Sequence, residues 1–558
     1  MDTNPLENPF YYLENFRQVL GWIAQRYDDL LDPVERDFIR EFGALPLPAQ
    51  GLLVRMVMRK GTLFRATKLS YVEIGDTRAA VQPLLALGWV DGDPTLDLRE
   101  LFHLLRKDEL RGCFKSEGKS TAGKGAERKD QWFERLLPLH DQPRTLAEWH
   151  PELDEQAFCL KVMPLCDRLR LLYFGNLYQE WSEFVLADLG IFRYETVDFT
   201  LDSRGIAERA DIDVCLQLHA CREALETTPD LAGLARQALA IETANPWLDM
   251  RRAKLLFRIG QQAERVQDWA LALKVYRQSD YPGSRSRQIR VLERGAQYSE
   301  AMILLEEVRR APRTDAEVQH LLRVLPRLQR KLGVAVERRA AARPVSRLDL
   351  IVEPVPGMSV EWLMREHLAE EGAEVHYVEN TLINSLFGLL CWPAIFAPIP
   401  GAFFHPFHSA PADLHSPDFH ERRASLFEQC FAELEDGRYL ATIRERFVSK
   451  AGLQSPFVFW GSLSPQVLEQ ALHCLPPVHL RRWFERLLQD IKANRTGMPD
   501  LIKFYPQERR YLMIEVKGPG DRLQDNQLRW LDFCAKHDMP VQVCYVQWAE
   551  VAEQPMSA

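Results

Sequence analysis

Gly497-Met498-Pro499-Asp500-Leu501-Ile502-Lys503-Phe504-Tyr505 is followed, after a polar turn from Pro506 to Arg510, by Tyr511-Leu512-Met513-Ile514-Glu515-Val516-Lys517. Both runs are β-prone and the segment between them suits a hairpin. Side chains two apart on a strand share a face, so Glu515 and Lys517 lie together while Val516 turns into the core. Asp500, at the start of the adjacent strand, can meet them. Two carboxylates so placed repel unless a cation joins them. Hard oxygen donors with no His or Cys in the motif favour Mg²⁺ or Mn²⁺ over zinc. Gly518-Pro519-Gly520 stops the strand, Gln527-Leu-Arg-Trp530-Leu531 opens an amphipathic helix, and Pro540 to Val546 reads as another buried strand. Acid-x-Lys alone fits an ordinary hairpin with solvated charges. The surrounding strand, turn, helix and strand argue instead for an α/β domain with a functional edge.

The run GMPDLI…EVKGPGDRLQDNQLRWL, from Gly497 to Leu531, resembles the VRR-NUC branch of the PD-(D/E)xK nucleases, whose fold is restriction-endonuclease-like. That superfamily adds an acid from a helix ahead of the hairpin. Glu379 fits the role, in front of the apolar spacing Leu382, Leu386, Phe387 and Leu390, with Glu370, Glu371 and Glu374 as competitors. A carboxylate in a helix's first turn also simply suits the helix dipole. Glu379-Asn-Thr-Leu-Ile-Asn-Ser-Leu-Phe-Gly-Leu-Leu-Cys-Trp-Pro-Ala-Ile-Phe396 is similar to the first nuclease helix of the Fanconi-associated nuclease family. The resemblance to bacterial members of that family implies a divalent-metal-dependent DNA nuclease. It would be a 5′-flap endonuclease and 5′-to-3′ exonuclease acting on branched and crosslinked DNA in interstrand-crosslink repair. It implies Glu379, Asp500, Glu515 and Lys517 as catalytic residues, and Glu379, Asp500, Glu515 and the Val516 carbonyl as metal ligands. The alternatives are a Holliday-junction resolvase and an inactive branched-DNA scaffold.

The rest of the chain gives that domain its setting. At 558 residues, 46% hydrophobic and 27% charged, the sequence predicts a multidomain, mostly α protein with three or four domains. No run of about 18 apolar residues predicts a membrane span. The N-terminus lacks a signal-peptide pattern. Ten cysteines form no CxxC pair and read as reduced thiols of a cytoplasmic protein, and the family resemblance implies one that works on DNA in the bacterial nucleoid. The formal net charge of −9 sits poorly with a DNA binder, but local patches decide phosphate contact. From Arg285 to Arg347 there are fifteen Lys or Arg against seven Asp or Glu, Arg285 and Arg287 among them. Solvated helix faces explain any single one of these arginines equally well.

Four regions emerge. Residues 1–95 form an N-terminal helical, winged-helix-like domain, with Asp32-Pro33 starting a helix and Lys60 and Arg65 on a basic side. A DNA contact and a plain scaffold are both open there. Residues 96–140 read as a SAP-like module whose long glycine-rich loop offers Lys119 and Lys124 to phosphates. GKSTAGKG in that loop lacks the P-loop pattern and its preceding strand, which excludes nucleotide binding. Residues 141–345 are TPR-like helices around Trp269-Ala-Leu-Ala-Leu-Lys-Val-Tyr276, without strict recurrence. Residues 346–558 are the nuclease domain, with a helical insertion at 401–480. Its His405, His408, His415 and His420 match no zinc-ligand spacing. Arg495, Lys503 and Gln527 flank the hairpin as candidate DNA contacts. Flap-length preference, protein partners and the choice between monomer and weak dimer are not written in the sequence.

Overall fold

The computed structural model describes residues 8–114, 128–181, 192–336 and 344–549. Lys119 and Lys124 lie outside them. The chain divides into two compact units, residues 1–192 with 206–212, and residues 193–205 with 213–558. Among the described residues no helix is long and apolar enough to cross a membrane.

The first unit begins with helices Tyr11–Tyr27, Pro33–Ala44, Leu47–Val57 and Thr77–Ala86. Asp32 accepts from the Glu35 N–H at 2.8 Å and Glu35 reciprocates, so Pro33 starts its helix under a full capping box. Short strands β1 (Leu63–Arg65) and β2 (Val90–Asp91) make the wing. Strands β3 (Thr95–Leu96) and β4 (Arg144–Thr145) pair around the module helices Leu98–Leu104, Lys107–Cys113 and Lys129–Leu136. Strand β5 (Ala157–Leu160) then returns to lie between β1 and β2. Two elements therefore cross the boundaries expected at 95 and 140. β4 and Trp149, whose indole donates to the Leu96 carbonyl at 2.9 Å, belong to the module. β5 completes the wing from a stretch expected to be helical. Without it, β1 and β2 would have no strand partner.

In the second unit the helices Leu231–Ala240, Pro246–Arg265, Trp269–Arg277, Ser284–Arg294, Tyr298–Arg310 and Asp315–Leu332 pack each on the next. A Cβ on Gly260 would stand 2.6 Å from the Tyr276 ring, so the small residue permits the close approach of these two helices. The nuclease sheet runs β6 (Ser346–Val352), β10 (Val541–Trp548), β9 (Arg510–Lys517), β8 (Leu501–Tyr505), β7 (Glu374–Tyr377). β10 is parallel to β6 and β9, whereas β9, β8 and β7 are antiparallel in turn. Helix Asp525–Lys536 is the crossover that a parallel β9–β10 pair requires.

Strand alternation splits the domain core in two. Leu501, Ile514, Val516 and Cys544 face one cluster with Met364. Ile502, Phe504, Met513 and Val543 face a larger one, formed with helices Leu382–Leu390, Ala424–Asp436, Pro465–Cys474 and Pro477–Gln489. The insertion is thus part of the main core rather than an appendage. Helix Pro477–Gln489 runs past 480, where the insertion was expected to end.

One glycine fixes the approach to β8. Gly497 has φ +87°, and a Cβ there would fall 2.8 Å from Asn526 at the start of the crossover helix. Gly497→Ala combines left-handed strain with a clash. It should lower unfolding free energy by about 2 kcal/mol or more, read as a fall in the urea midpoint at unchanged slope.

Candidate active site

The register explains how Asp500 meets Glu515. Leu501 pairs with Ile514 across the antiparallel β8–β9 ladder, so the next step outward sets Asp500 opposite Glu515. Asp500 is clamped on both sides. Its Oδ2 accepts from the Val516 N–H at 2.8 Å, and its carbonyl accepts from the Val378 N–H at 2.9 Å. Glu515 and Lys517 share the face toward the larger core, with Lys517 Nζ 2.8 Å from Glu515 Oε1.

Burial is the surprise. Glu515 is wholly inaccessible, and Asp500 and Lys517 are 7% and 8% exposed. Neither Glu515 oxygen accepts a well-aligned hydrogen bond, and the Lys517 contact is an ion pair only. Burial pushes the Glu515 carboxyl up to about 8; the neighbouring Asp500 charge adds to this and Lys517 opposes it. Burial likewise raises Asp500, against the Val516 hydrogen bond, with Glu379 and Glu361 adding repulsion. Lys517 loses solvation too, but its carboxylate neighbours outweigh that and hold the ammonium charged.

A buried carboxylate pair with one ammonium and an oxygen lacking any donor is a site short of positive charge. The donors are all hard oxygens, so a hard divalent cation fits it. The third acid is not seated with them. Among the described residues no three His, Cys, Asp or Glu side chains come within joint reach of one ion. Glu379 lies in the turn between β7 and helix Leu382–Leu390 rather than in the helix. Asn380, at φ +52°, makes that turn and delays the helix by three residues. Glu379 accepts from Tyr377 Oη at 2.5 Å and Asn380 Nδ2 at 3.0 Å, while its charge is still felt by Asp500 and Glu515. Of its competitors, Glu370 pairs with Lys503 and Glu374 with Gln466. Glu361, which sequence reading missed, stands near Asp500 on helix Val360–Leu368. The Ser359 N-cap two residues ahead was its only signal.

Several expected DNA contacts are already engaged. Lys503 is buried, giving its ammonium to the Leu368 carbonyl and Glu370, both at 2.8 Å. Arg65 grips Glu109 at 2.7 Å and Glu155 at 2.8 Å. Arg285 pairs with Glu317 at 2.6 Å, and Arg287 and Arg290 share Glu264. Gln527 caps its own helix, its Oε1 accepting from the Gln524 N–H at 2.9 Å. Charge along the sequence did not reveal these partners. Lys60 is exposed. Arg495 donates to the Pro456 carbonyl at 2.8 Å but joins a cationic group that sequence reading did not assemble. Lys254 has its pKa lowered first by loss of solvation and then by Arg258, Lys492, Arg222 and Arg251. His415 is lowered by burial and by Arg495, Lys492 and Lys254. Asp413, which lies among the four histidines near 410, is bound by Arg422 and Arg423.

Comparison with known proteins converges on one family. The VRR-NUC domain model matches residues 434–548, the FAN1, HTH domain residues 10–91, and the Fanconi anemia-associated nuclease SAP domain residues 95–149. The Fanconi-associated nuclease 1 homolog of Pseudomonas aeruginosa is 61% identical over 98% of both chains. That of Oryza sativa is 23% identical over 96% of this chain and 62% of its own. The crystal structure of paFAN1 bound to 2nt 5′flap DNA with gap superposes with TM-score 0.89 at 60% identity, over 98% of this chain and 99% of that one. With three domain models of one family matched in order and a near full-length relative at this identity, the chain belongs to the Fanconi-associated nuclease family and is a DNA nuclease, a phosphodiester hydrolase.

Proposed function

We propose that this nuclease cuts 5′-flapped and crosslinked DNA, and trims it from the 5′ side, with Mg²⁺ or Mn²⁺ held by Asp500, Glu515 and the Val516 carbonyl, and with Glu379, whose charge already acts on both acids, drawn to the ion as their third carboxylate. It would act in interstrand-crosslink repair in the bacterial cytoplasm. The observation that carries this reading is the buried Asp500–Glu515–Lys517 group, short of one cation and built only of hard donors. A bound divalent ion supplies charge neutralisation at the phosphate and an acidified water. The chain's own residues do the rest. The Val516 N–H fixes the Asp500 carboxylate, and the Glu515 pairing keeps Lys517 ammonium, able to donate to a phosphate oxygen or hold the attacking water. The cluster of Lys254, Arg258, Lys492 and Arg495 concentrates positive charge just ahead of Gly497–Asp500, where the strand backbone of DNA would relieve its self-repulsion. The paFAN1 structures with 1nt and 2nt 5′ flaps support the substrate class.

The test is cleavage of a 5′-labelled flap with Mg²⁺, Mn²⁺, Ca²⁺ or chelator. Cutting near the branch with the first two alone is the expected result. Paired symmetric nicks in a four-way junction, without flap cutting, would overturn it in favour of a resolvase.

Burial also predicts a pH response. The folded Glu515 pKa of about 8 lies above the ordinary carboxylate value, so the folded state holds the extra proton. Stability from this group is full below that ordinary value and is lost as pH climbs towards 8. Metal-free wild type should lose thermal stability between pH 5 and 8 relative to Glu515→Gln, and Mg²⁺ should restore it with proton release. Parallel pH profiles for the two proteins would contradict the assignment.

A further inference from the structure

Beside the carboxylates lies an exposed aromatic pair that nothing above uses. Trp362 is 46% exposed and Tyr377 37%, and their ring planes are within 23° with centroids 6.2 Å apart. Trp362 follows Glu361, the acid whose charge reaches Asp500. Tyr377 holds Glu379 through its hydroxyl. Trp362 therefore sits on the helix that carries Glu361, and Tyr377 ends β7 opposite Leu501, the residue next to Asp500. Arg365 is fixed by the Val375 carbonyl at 3.3 Å and places its guanidinium 4.7 Å from the Trp362 ring centroid. A tryptophan this open in water leaves apolar surface unburied, and the cation beside it suits a partner that pairs π-faces with negative charge. Nucleobases on a phosphate backbone are that partner.

We propose that Trp362 and Tyr377 form a stacking floor for the unpaired base next to the scissile phosphate. They would favour strands whose bases are already free of a duplex at the cut. The inference rests on the flap-nuclease reading above. Stacking is indifferent to base identity, so the floor would select strand state rather than sequence. Tyr377 has a second part as a positioning residue, since its hydroxyl sets Glu379.

The experiment uses the full chain in single-turnover cleavage of a 5′ flap, with either an intact or an abasic nucleotide flanking the scissile bond. For wild type, removing the base should slow cleavage roughly tenfold, within the range that one lost base–aromatic contact produces. Trp362→Ala should be slowed by a similar factor on the intact strand and no further by the abasic one. Trp362→Phe should recover most of the rate, and Tyr377→Phe should keep full sensitivity to base removal. Because Trp362 is half exposed, an unchanged melting temperature will show that the variants fold. Trp362→Ala cutting at the wild-type rate would overturn the proposal, as would equal abasic effects in both proteins. A Tyr377→Phe loss as large as that of Tyr377→Ala would overturn it for Tyr377, placing the effect in the hydroxyl on Glu379. Wild type that fails to cut the flap with Mg²⁺ defeats the underlying reading, and the floor with it. Wild type that cuts, with an indifferent Trp362 variant, defeats the floor alone.

Discussion

Glu515→Gln and Asp500→Asn should each reduce Mg²⁺-supported flap cleavage on the order of a thousandfold, about 4 kcal/mol in barrier, while metal-free stability is unchanged or rises. The two halves of that expectation have one cause. Glu515 is fully buried, carries an oxygen without a donor, and feels the Asp500 charge across the ladder. Holding such a carboxylate ionised costs folding free energy, which a neutral amide of the same shape does not incur. The same ionised pair is what can attract a dication and keep Lys517 protonated. A site that is poor for stability and necessary for chemistry separates activity from fold when neutralised. DNA affinity in Ca²⁺ should stay near wild type, because the cationic cluster around Lys254 and Lys492 is untouched. Parallel loss of cleavage, binding and melting temperature would mean that the substitutions unfold the domain, and the assigned roles would fall.

How much of this the sequence disclosed depends on the range of the interaction. Strand alternation and a short hairpin are local, so the union of Asp500, Glu515 and Lys517 could be read from spacing alone. The capping box at Asp32 was equally local. Interactions over long separations were not legible. Arg65 meets acids 44 and 90 residues away, and Lys503 meets a carbonyl 135 residues back. Each looks like a free cation until folding supplies its partner. β5 was hidden for the same reason, because Ala157–Leu160 becomes a strand only between β1 and β2. The turn that carries Glu379 was hidden in the same way: Asn380 adopts a left-handed conformation and its side-chain oxygen accepts from the Met498 N–H at 3.1 Å. That bond ties the third acid's turn to the segment leading into Asp500. The seating of Glu379 is thus decided by a contact spanning 118 residues.

Asp413→Ala should be the most destabilising single change in the nuclease domain, at roughly 3–5 kcal/mol. Asp413 is 4% exposed and binds Arg423 through two bonds, 2.8 and 2.9 Å, with Arg422 adding a third at 2.9 Å. The Arg423 side chain has no exposed surface at all, and its guanidinium also lies 4.2 Å from the Phe419 ring centroid. Removing the carboxylate leaves that cation buried with no compensating charge, beside the Phe419 ring. An arginine cannot escape by releasing its proton, so the cost must appear in the fold. Removing both partners together should cost less. Asp413→Ala with Arg423→Met replaces the pair by apolar volume and should recover at least half of the loss, a coupling that a double-mutant cycle in urea would measure. Because helix Ala424–Asp436, which Arg423 leads into, packs on the core beneath the sheet, the single variant should also lose flap cleavage on warming before wild type does. If Asp413→Ala melts with wild type, the pair is a surface ornament despite its burial. The insertion would then contribute nothing to holding the catalytic hairpin.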